Sequence, residues 1–406
     1  MRTSRLWHDA AKMHYLDQRV LTVPAEPDAL LHACKQARGS DTLKLLPGIH
    51  YLSAELIVER PLQILSQVEA ERVFSSWQRT KRGTPPSPPT NTNHNTTGCP
   101  ATIATPPAMV PALAARADGR SSPASYVEAM VANKAHADEV VLVATPHVLL
   151  RTRCNARMAG LTLCRMGTAV GYPNAVTYAE AGMLQVDRCR ITCGGAAPSV
   201  GVALQAFAHV PEPGAVWQPG TLATSGSGSR RPQHSVGMET PQAGVWVGAA
   251  ARVTLHSCAI ASCMGPGVKI YRGRLLAQHS TIAFSSRGAN VVANGGDVVL
   301  ERNAIYGSDG DGVSSWNNSN MHIIHNEIYA NAGAGIAVNA GAGLVTIAYN
   351  RFFDNVEHDV LFATSKAKAT VENNDYLEKH VSSTLSSRAA SSSSVADGGA
   401  TQVELS

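Results

Sequence analysis

Residues 322–362 read HIIHNEIYANAGAGIAVNAGAGLVTIAYNRFFDNVEHDVLF, two successive copies of one pattern. In the first copy Asn326 precedes Ile328 and Asn331, and a Gly335-Ile336 step leads to Val338. The second copy repeats this with Asn350, Phe352, Asn355 and Val360. Working outward, the unit of a small polar residue followed two positions later by an apolar one recurs. It is found at Cys258-Ala-Ile260, Ser280-Thr-Ile282, Asn303-Ala-Ile305, Asn326-Glu-Ile328, Asn350-Arg-Phe352 and Asn374-Asp-Tyr376, in steps of 22, 23, 23, 24 and 24 residues. An earlier copy, Cys189-Arg-Ile191, lies 69 residues before Cys258. Three positions before each unit stands an apolar residue: Val186, Leu255, Ala277, Leu300, Ile323, Ile347 and Val371. Five positions after come Cys263, Ser285, Ser308, Asn331 and Asn355, and ten after come Val268, Asn290, Val313, Ile336 and Val360.

A fixed period of this length is the mark of a solenoid. The apolar runs span three to five residues and alternate with period two, so every second side chain faces inward. Gly or Asn turns separate them, as at Gly267-Val268 and Gly312-Val313. Runs this short cannot form a long hairpin sheet, but they can bend a coil into a flattened ring. Rings stacked at about 4.8 Å pair each strand in parallel with its copy above. The fold is therefore read as all-β, a right-handed parallel β-helix. Apolar columns fill the bore. Cys189, Cys258, Ser280, Asn303, Asn326, Asn350 and Asn374 form a structural ladder that satisfies buried turn backbone. An Asn that returns in every coil is ladder rather than catalyst, because an active site occurs once. A leucine-rich repeat would need its LxxLxLxxN signature, which is missing.

Around the regular coils of 242–378 the text divides as follows. Residues 1–38 read as an N-terminal helical segment that caps the coils, with PDALLHACKQAR (27–38) as its clearest helix. Residues 39–78 hold the first coils, in which LKLLPGIHYLSAELIVERPLQIL (43–65) is broken into short strands by Pro47-Gly48 and Pro61. Residues 79–137, opening on RTKRGTPPSPPTNTNHNTTGCP, and 208–241, with PEPGAVWQPG and SGSGSRRPQ, read as disordered insertions. Coils resume over 138–207, beginning with EVVLVA (139–144), and the Ser-rich tail 379–406 reads as disordered.

Composition agrees with a narrow layered core: hydrophobic residues make up 44% of the chain but aromatics only 5%. The net charge is +4, and basic residues are scattered apart from pairs such as Lys81-Arg82 and Arg230-Arg231. No basic stripe marks a nucleic-acid surface. The eight cysteines form no CxxC pair and no His cluster completes a zinc site, so neither metal nor cofactor is expected. The N-terminus lacks an apolar secretion signal and no 18-residue apolar stretch occurs. The expectation is a cytoplasmic or nuclear protein with no membrane contact.

The units HIIHNEIYANAGAGIAVNAG and VTIAYNRFFDNVEHDVLF resemble the β-helix repeats of carbohydrate-processing enzymes and of intracellular F-box proteins. The closer resemblance is to the F-box/SHC-binding type, whose coils have the form N-x-I-x-x-N…G-I-x-V. Asn326, Ile328, Asn331, Gly335, Ile336 and Val338 match it residue by residue. The resemblance covers about 20–78 and 139–377. It implies a protein-recognition platform, in some members joined to an F-box that docks a ubiquitin ligase. SRLWHDAAKMHYLD (4–17) is read as at most the end of an F-box.

For chemistry the densest stretch is SDGDGVSSWNNSNMHIIHNE (308–327). Asp309, Asp311 and His325 are the candidate acid–base groups, and Trp316 and His322 the candidate binding residues, with Trp316 able to stack on a sugar face. The expectation is that one coil's rise brings them together. The plainer reading is that Asp-Gly-Asp-Gly is turn chemistry and that His322, beside inward Ile323, points to solvent. Asp354, Glu357 and Asp359 form a second acidic turn, read as solvated. The sequence thus favours a non-enzymatic scaffold for a protein partner, with a ubiquitin-ligase substrate-recognition subunit as its finer form. The alternative is a carbohydrate-active enzyme or glycan-binding module of lyase or hydrolase type.

Overall fold

The computed structural model describes residues 19–81, 139–144, 148–165, 173–193, 242–364, 368–377 and 401–402. Each turn of the chain lays down up to three strand segments, which pair in parallel with their counterparts one turn on. The third segment gives a ten-stranded sheet with one strand per turn, from Gly48–Leu52 to Asp375–Tyr376. The first two segments share a seventeen-stranded sheet. The result is a right-handed parallel β-helix of about ten turns. We call its three sides face 1 (for example 291–294), face 2 (297–301) and face 3 (Ala304–Tyr306), in chain order.

The inward columns follow the repeat. Val186, Leu255, Ala277, Leu300, Ile323, Ile347 and Val371 stand in one register along face 2. Ile191, Ile260, Ile282, Ile305, Ile328, Phe352 and Tyr376 do so along face 3. All but the exposed Tyr376 belong to one continuous apolar core from Val23 to Phe352 or, like Val371, pack onto it. Each fully buried Ile, Leu or Val there contributes about 1.5–3 kcal/mol, which is why a solenoid gains stability coil by coil.

The structure corrects the sequence reading in five places. On face 1 the register runs Val268, Val291, Val313, Ile336, Val360, so Val291 and not Asn290 fills the inward column. The turn between Ser285 and Val291 is one residue longer than its neighbours, and Asn290 takes the place that Gly267 and Gly312 hold in adjacent turns, its Oδ1 accepting the Ser285 N–H. The runs are also not all short. Ala175–Asp187, Ala243–His256, Val291–Glu301 and Val313–Ile324 pass from face 1 to face 2 as single bent strands. Register shifts at Ala179/Ala181 and Asn294/Gly296 take up that bend.

The third correction concerns the N-terminal segment 1–38. Its residues 1–18 lie outside the described residues, but Val20–Val23 is a strand that pairs with Thr42–Leu45 and so belongs to the first turn. Helix α1 (Ala29–Gln36) follows it and buries Leu30 against the bore. Fourth, the segment 39–78 ends in a helix, α2 (Gln67–Lys81), which crosses into the insertion 79–137. Ser66-Gln-Val-Glu69 is a capping-box sequence, and the Glu69 N–H donates to Ser66 Oγ at 3.3 Å. Ala70, Val73 and Phe74 then pack on Leu65 and Ala159. Residues 82–138 and 194–241, which hold nearly all of both insertions, lie outside the described residues. Fifth, within the tail 379–406, Thr401–Gln402 pairs antiparallel with Thr370 and Val371, on the open edge that the last turn would otherwise present.

Candidate functional site

The ladder residues occupy the corner between faces 2 and 3. Asn303, Asn326, Asn350 and Asn374 each accept, through Oδ1, the backbone N–H of the ladder residue one turn below, at 2.9 Å. Their Nδ2 groups donate to Ala277, Leu300, Ile323 and Ile347 carbonyls at 2.7–2.9 Å. Ser280 Oγ plays the same part for the Cys258 N–H at 3.1 Å, and Cys258 Sγ reaches the Val186 carbonyl at 3.2 Å. Burial pushes the Cys258 thiol up to about 11, and Cys189 well above the ordinary range as well. These are unreactive fillers of a buried corner.

One residue before each ladder position the backbone turns left-handed: Arg188, Ser257, His279, Arg302, His325, Tyr349 and Asn373 have φ between 49° and 57°. A non-glycine residue there costs about 1–2 kcal/mol, which the paired ladder amides offset. This column explains His325. Its ring points out of the corner and stacks on Tyr349 one turn above, with centroids 5.1 Å apart and planes at 20°.

Asp309 and Asp311 share the turn from face 3 to face 1. The Asp309 N–H donates to the Ser285 carbonyl at 2.9 Å, and Asp311 Oδ1 accepts the Ala334 N–H at 3.0 Å. Gly333 sits above, where an added Cβ would lie 2.6 Å from that oxygen. Burial raises both carboxyl pKa values; for Asp311 the Ala334 hydrogen bond opposes the rise and the Glu357 carboxylate adds to it.

Trp316 ends face 1, with its indole 43% exposed and its Nε1 donating to Ser314 Oγ at 2.9 Å. His322 lies outward on face 2, in register with Val299 and Thr346. The five candidates are thus not gathered. Stacking joins residues one 23-residue repeat apart (303 to 326), whereas 309 and 325 fall within a single repeat and lie around its circumference. Asp309 and Asp311 hold one corner, Trp316 the next, His322 the following face and His325 the third corner. Among the described residues no group of three or more His, Cys, Asp or Glu is placed to hold a metal ion.

Apart from Trp316, what the sequence reading missed is the outer surface of face 1. One column there runs Tyr178, Trp246, Lys269, Val292, Ser314, and the column two positions on includes Tyr271, Asn294 and Trp316. Lys269 Nζ sits 4.1 Å above the Trp246 ring, and Arg272 lies over Tyr271 at 5.5 Å. Asn317 Nδ2 donates to Asn294 Oδ1 across the turns at 2.9 Å, and Asn339 Nδ2 to Ser314 Oγ at 2.9 Å. Burial alone lowers the Lys269 pKa. The signal was available, because the positions one and three after the inward Val268 column give these outward residues by simple alternation.

The family model for the right handed beta helix region matches residues 234–376. No curated protein sequence matches the chain. Among solved structures the chain is similar to an alginate lyase of the PL6 family, AlyGC, at 11% identity and a TM-score of 0.42, over 89% of this chain. This chain spans 40% of that lyase's length. It is also similar to the ORF18 product of Geobacillus virus E2 (9% identity, TM-score 0.41, 88% of this chain and 62% of that one). A third similarity is to the periplasmic alginate epimerase AlgG (9% identity, TM-score 0.23, 89% and 86%).

Proposed function

We propose that this protein is a non-enzymatic β-helix scaffold that recognises a protein partner on the outer surface of face 1. The observation that carries the proposal is the contrast between two sets of side chains. Asp311 is engaged in turn structure, and Asp309 and Asp311 hold one corner while His325 holds another, so these acids and this base do not face a common substrate position. Tyr271 and Trp316 instead present exposed rings on one flat side, 40% and 43% exposed, among amides and cations. Trp, Tyr and Arg are the residues in which binding energy concentrates at protein interfaces. Coupling to a ubiquitin ligase, in the cytoplasm or nucleus, is the finer part of this proposal and rests on the sequence resemblance alone.

The test pairs affinity capture with a glycan panel. The full chain is expected to retain a partner that rebinds when purified, and to lose it when Trp316 and Tyr271 are both replaced by Ala. It is expected to leave uronate-rich and neutral polysaccharides uncut. Cleavage of any of them that Asp311→Ala abolishes would instead establish the carbohydrate-active alternative and end the scaffold reading.

A further inference from the structure

Most arginines on the solenoid surface have a carboxylate within reach. Arg151 meets Glu55 at 2.6 Å, Arg153 meets Glu180 at 3.0 Å, Arg157 meets Asp187 at 2.9 Å and Arg274 meets Asp297 at 3.2 Å. On two adjacent turns, Arg252, Lys269 and Arg272 depart from this pattern, with no ion pair among the described residues. They border the stretch of face 1 where Tyr271, Asn294 and Trp316 follow one another in register. Lys269 is also half-buried, held by the Trp246 ring instead of by a counter-charge. An ammonium kept partly dry without an acid loses solvation that an incoming carboxylate would restore.

We infer that this strip is a binding site for an acidic segment of the protein partner, with Lys269 and Arg272 meeting its carboxylates and Tyr271 and Trp316 packing its apolar side chains. The inference rests on the scaffold reading above and names the chemistry of the partner. Tyr271 and Trp316 are two turns apart, about 10 Å, the length of about three residues of extended chain. The strands beneath are already paired on both sides, so recognition runs through side chains and not through strand addition. Trp316 has spent its N–H on Ser314, which leaves its ring face to offer. Beside Arg272 the corner carries Gly273, where an added Cβ would collide with the Gly248 carbonyl oxygen, so no side chain stands there.

The test uses the full chain and three labelled peptides of one length, built from Leu and Phe with Glu, Gln or Lys at the charged positions. Fluorescence anisotropy is expected to show the Glu peptide binding at least about tenfold more tightly than the Gln peptide, with the Lys peptide weakest, and binding falling as salt rises. Lys269→Gln, Arg272→Gln and Trp316→Ala should each weaken the Glu peptide about tenfold. Arg190→Gln, which removes a charge paired with Glu139 on face 3, should leave binding unchanged. Thermal melts establish that each variant is folded; if Lys269→Gln is not, Arg272→Gln at the exposed corner decides alone. Equal binding of the Glu and Gln peptides, or variants that bind as wild type, would overturn the inference. So would binding of an oligouronate without binding of the peptide. A captured partner that binds Lys269→Gln and Arg272→Gln normally would overturn this site while leaving the scaffold reading intact.

Discussion

Replacing Asn326 by Ala removes one rung from the middle of the corner ladder, and the structure says which groups are left alone. Asn326 Oδ1 accepts the Asn303 N–H at 2.9 Å, and its Nδ2 donates to the Leu300 carbonyl at 2.9 Å. Neither group can reach water, since the side chains of this column are buried. Asn303 Nδ2 keeps Ala277 and Asn350 Oδ1 keeps the Asn326 N–H, so the Asn303 N–H is orphaned and the Leu300 carbonyl, which sits in a strand paired on both sides, loses its side-chain partner. At about 1–3 kcal/mol for the orphaned N–H and about 1 kcal/mol for the lost carbonyl bond, the cost is about 2–4 kcal/mol, at the severe end for one substitution. Asn326→Ser should cost less, about 1–3 kcal/mol, because a hydroxyl keeps the acceptor. Ser280 already does this in the same column, accepting the Cys258 N–H at 3.1 Å. Urea titration followed by circular dichroism gives the stabilities. A drop in the denaturant slope would report separate unfolding of the coils on either side. Hydrogen exchange at Asn303 gives the local effect, and that amide should lose most of its protection in the Ala variant. A loss below about 1 kcal/mol with Asn303 still protected, or Ser costing as much as Ala, would refute the argument.

Two pH-linked predictions follow from the turns and the lateral helix. Asp311→Asn keeps the oxygen that accepts the Ala334 N–H and removes a charge whose pKa burial raises above 3.8. The variant should therefore melt higher than wild type at pH 7, and the two should converge as pH falls below 3.8, where wild type is protonated both folded and unfolded. Glu69 has the opposite sign: its hydrogen bonds and charge attraction to Arg188 hold its pKa below 4.5. Its contribution is present above 4.5 and is lost as pH falls through the lowered folded value. Glu69→Gln should thus destabilise by about 1–2 kcal/mol at pH 7, since Arg188 is part-exposed, with the difference shrinking in acid. Differential scanning calorimetry across pH 2–7 checks both, and a pH-independent difference in either would contradict its assignment.

The parallel β-helix was legible because a repeat of 22–24 residues leaves its mark in every turn. The Asn, Ser and Cys column, the inward Ile and Val columns and even the outward columns of face 1 are one-dimensional facts that stacking turns into lines. Helix α2 carries its own local mark, the Ser66–Glu69 capping box, within a segment whose alternation otherwise reads as coils. Two things needed the tertiary structure. One is the local slip of register at Asn290, where an extra turn residue moved Val291 into the bore. The other is which residues meet around a single turn. Asp309, Asp311, Trp316, His322 and His325 crowd together in the sequence, yet one circuit of the coil carries them past three corners. Neighbours along a solenoid are residues one repeat apart, because the strands pair between turns and not within them. That geometry separates the apparent cluster of acids and histidines. It also brings Tyr271, Asn294 and Trp316, well apart in the chain, into one outward row.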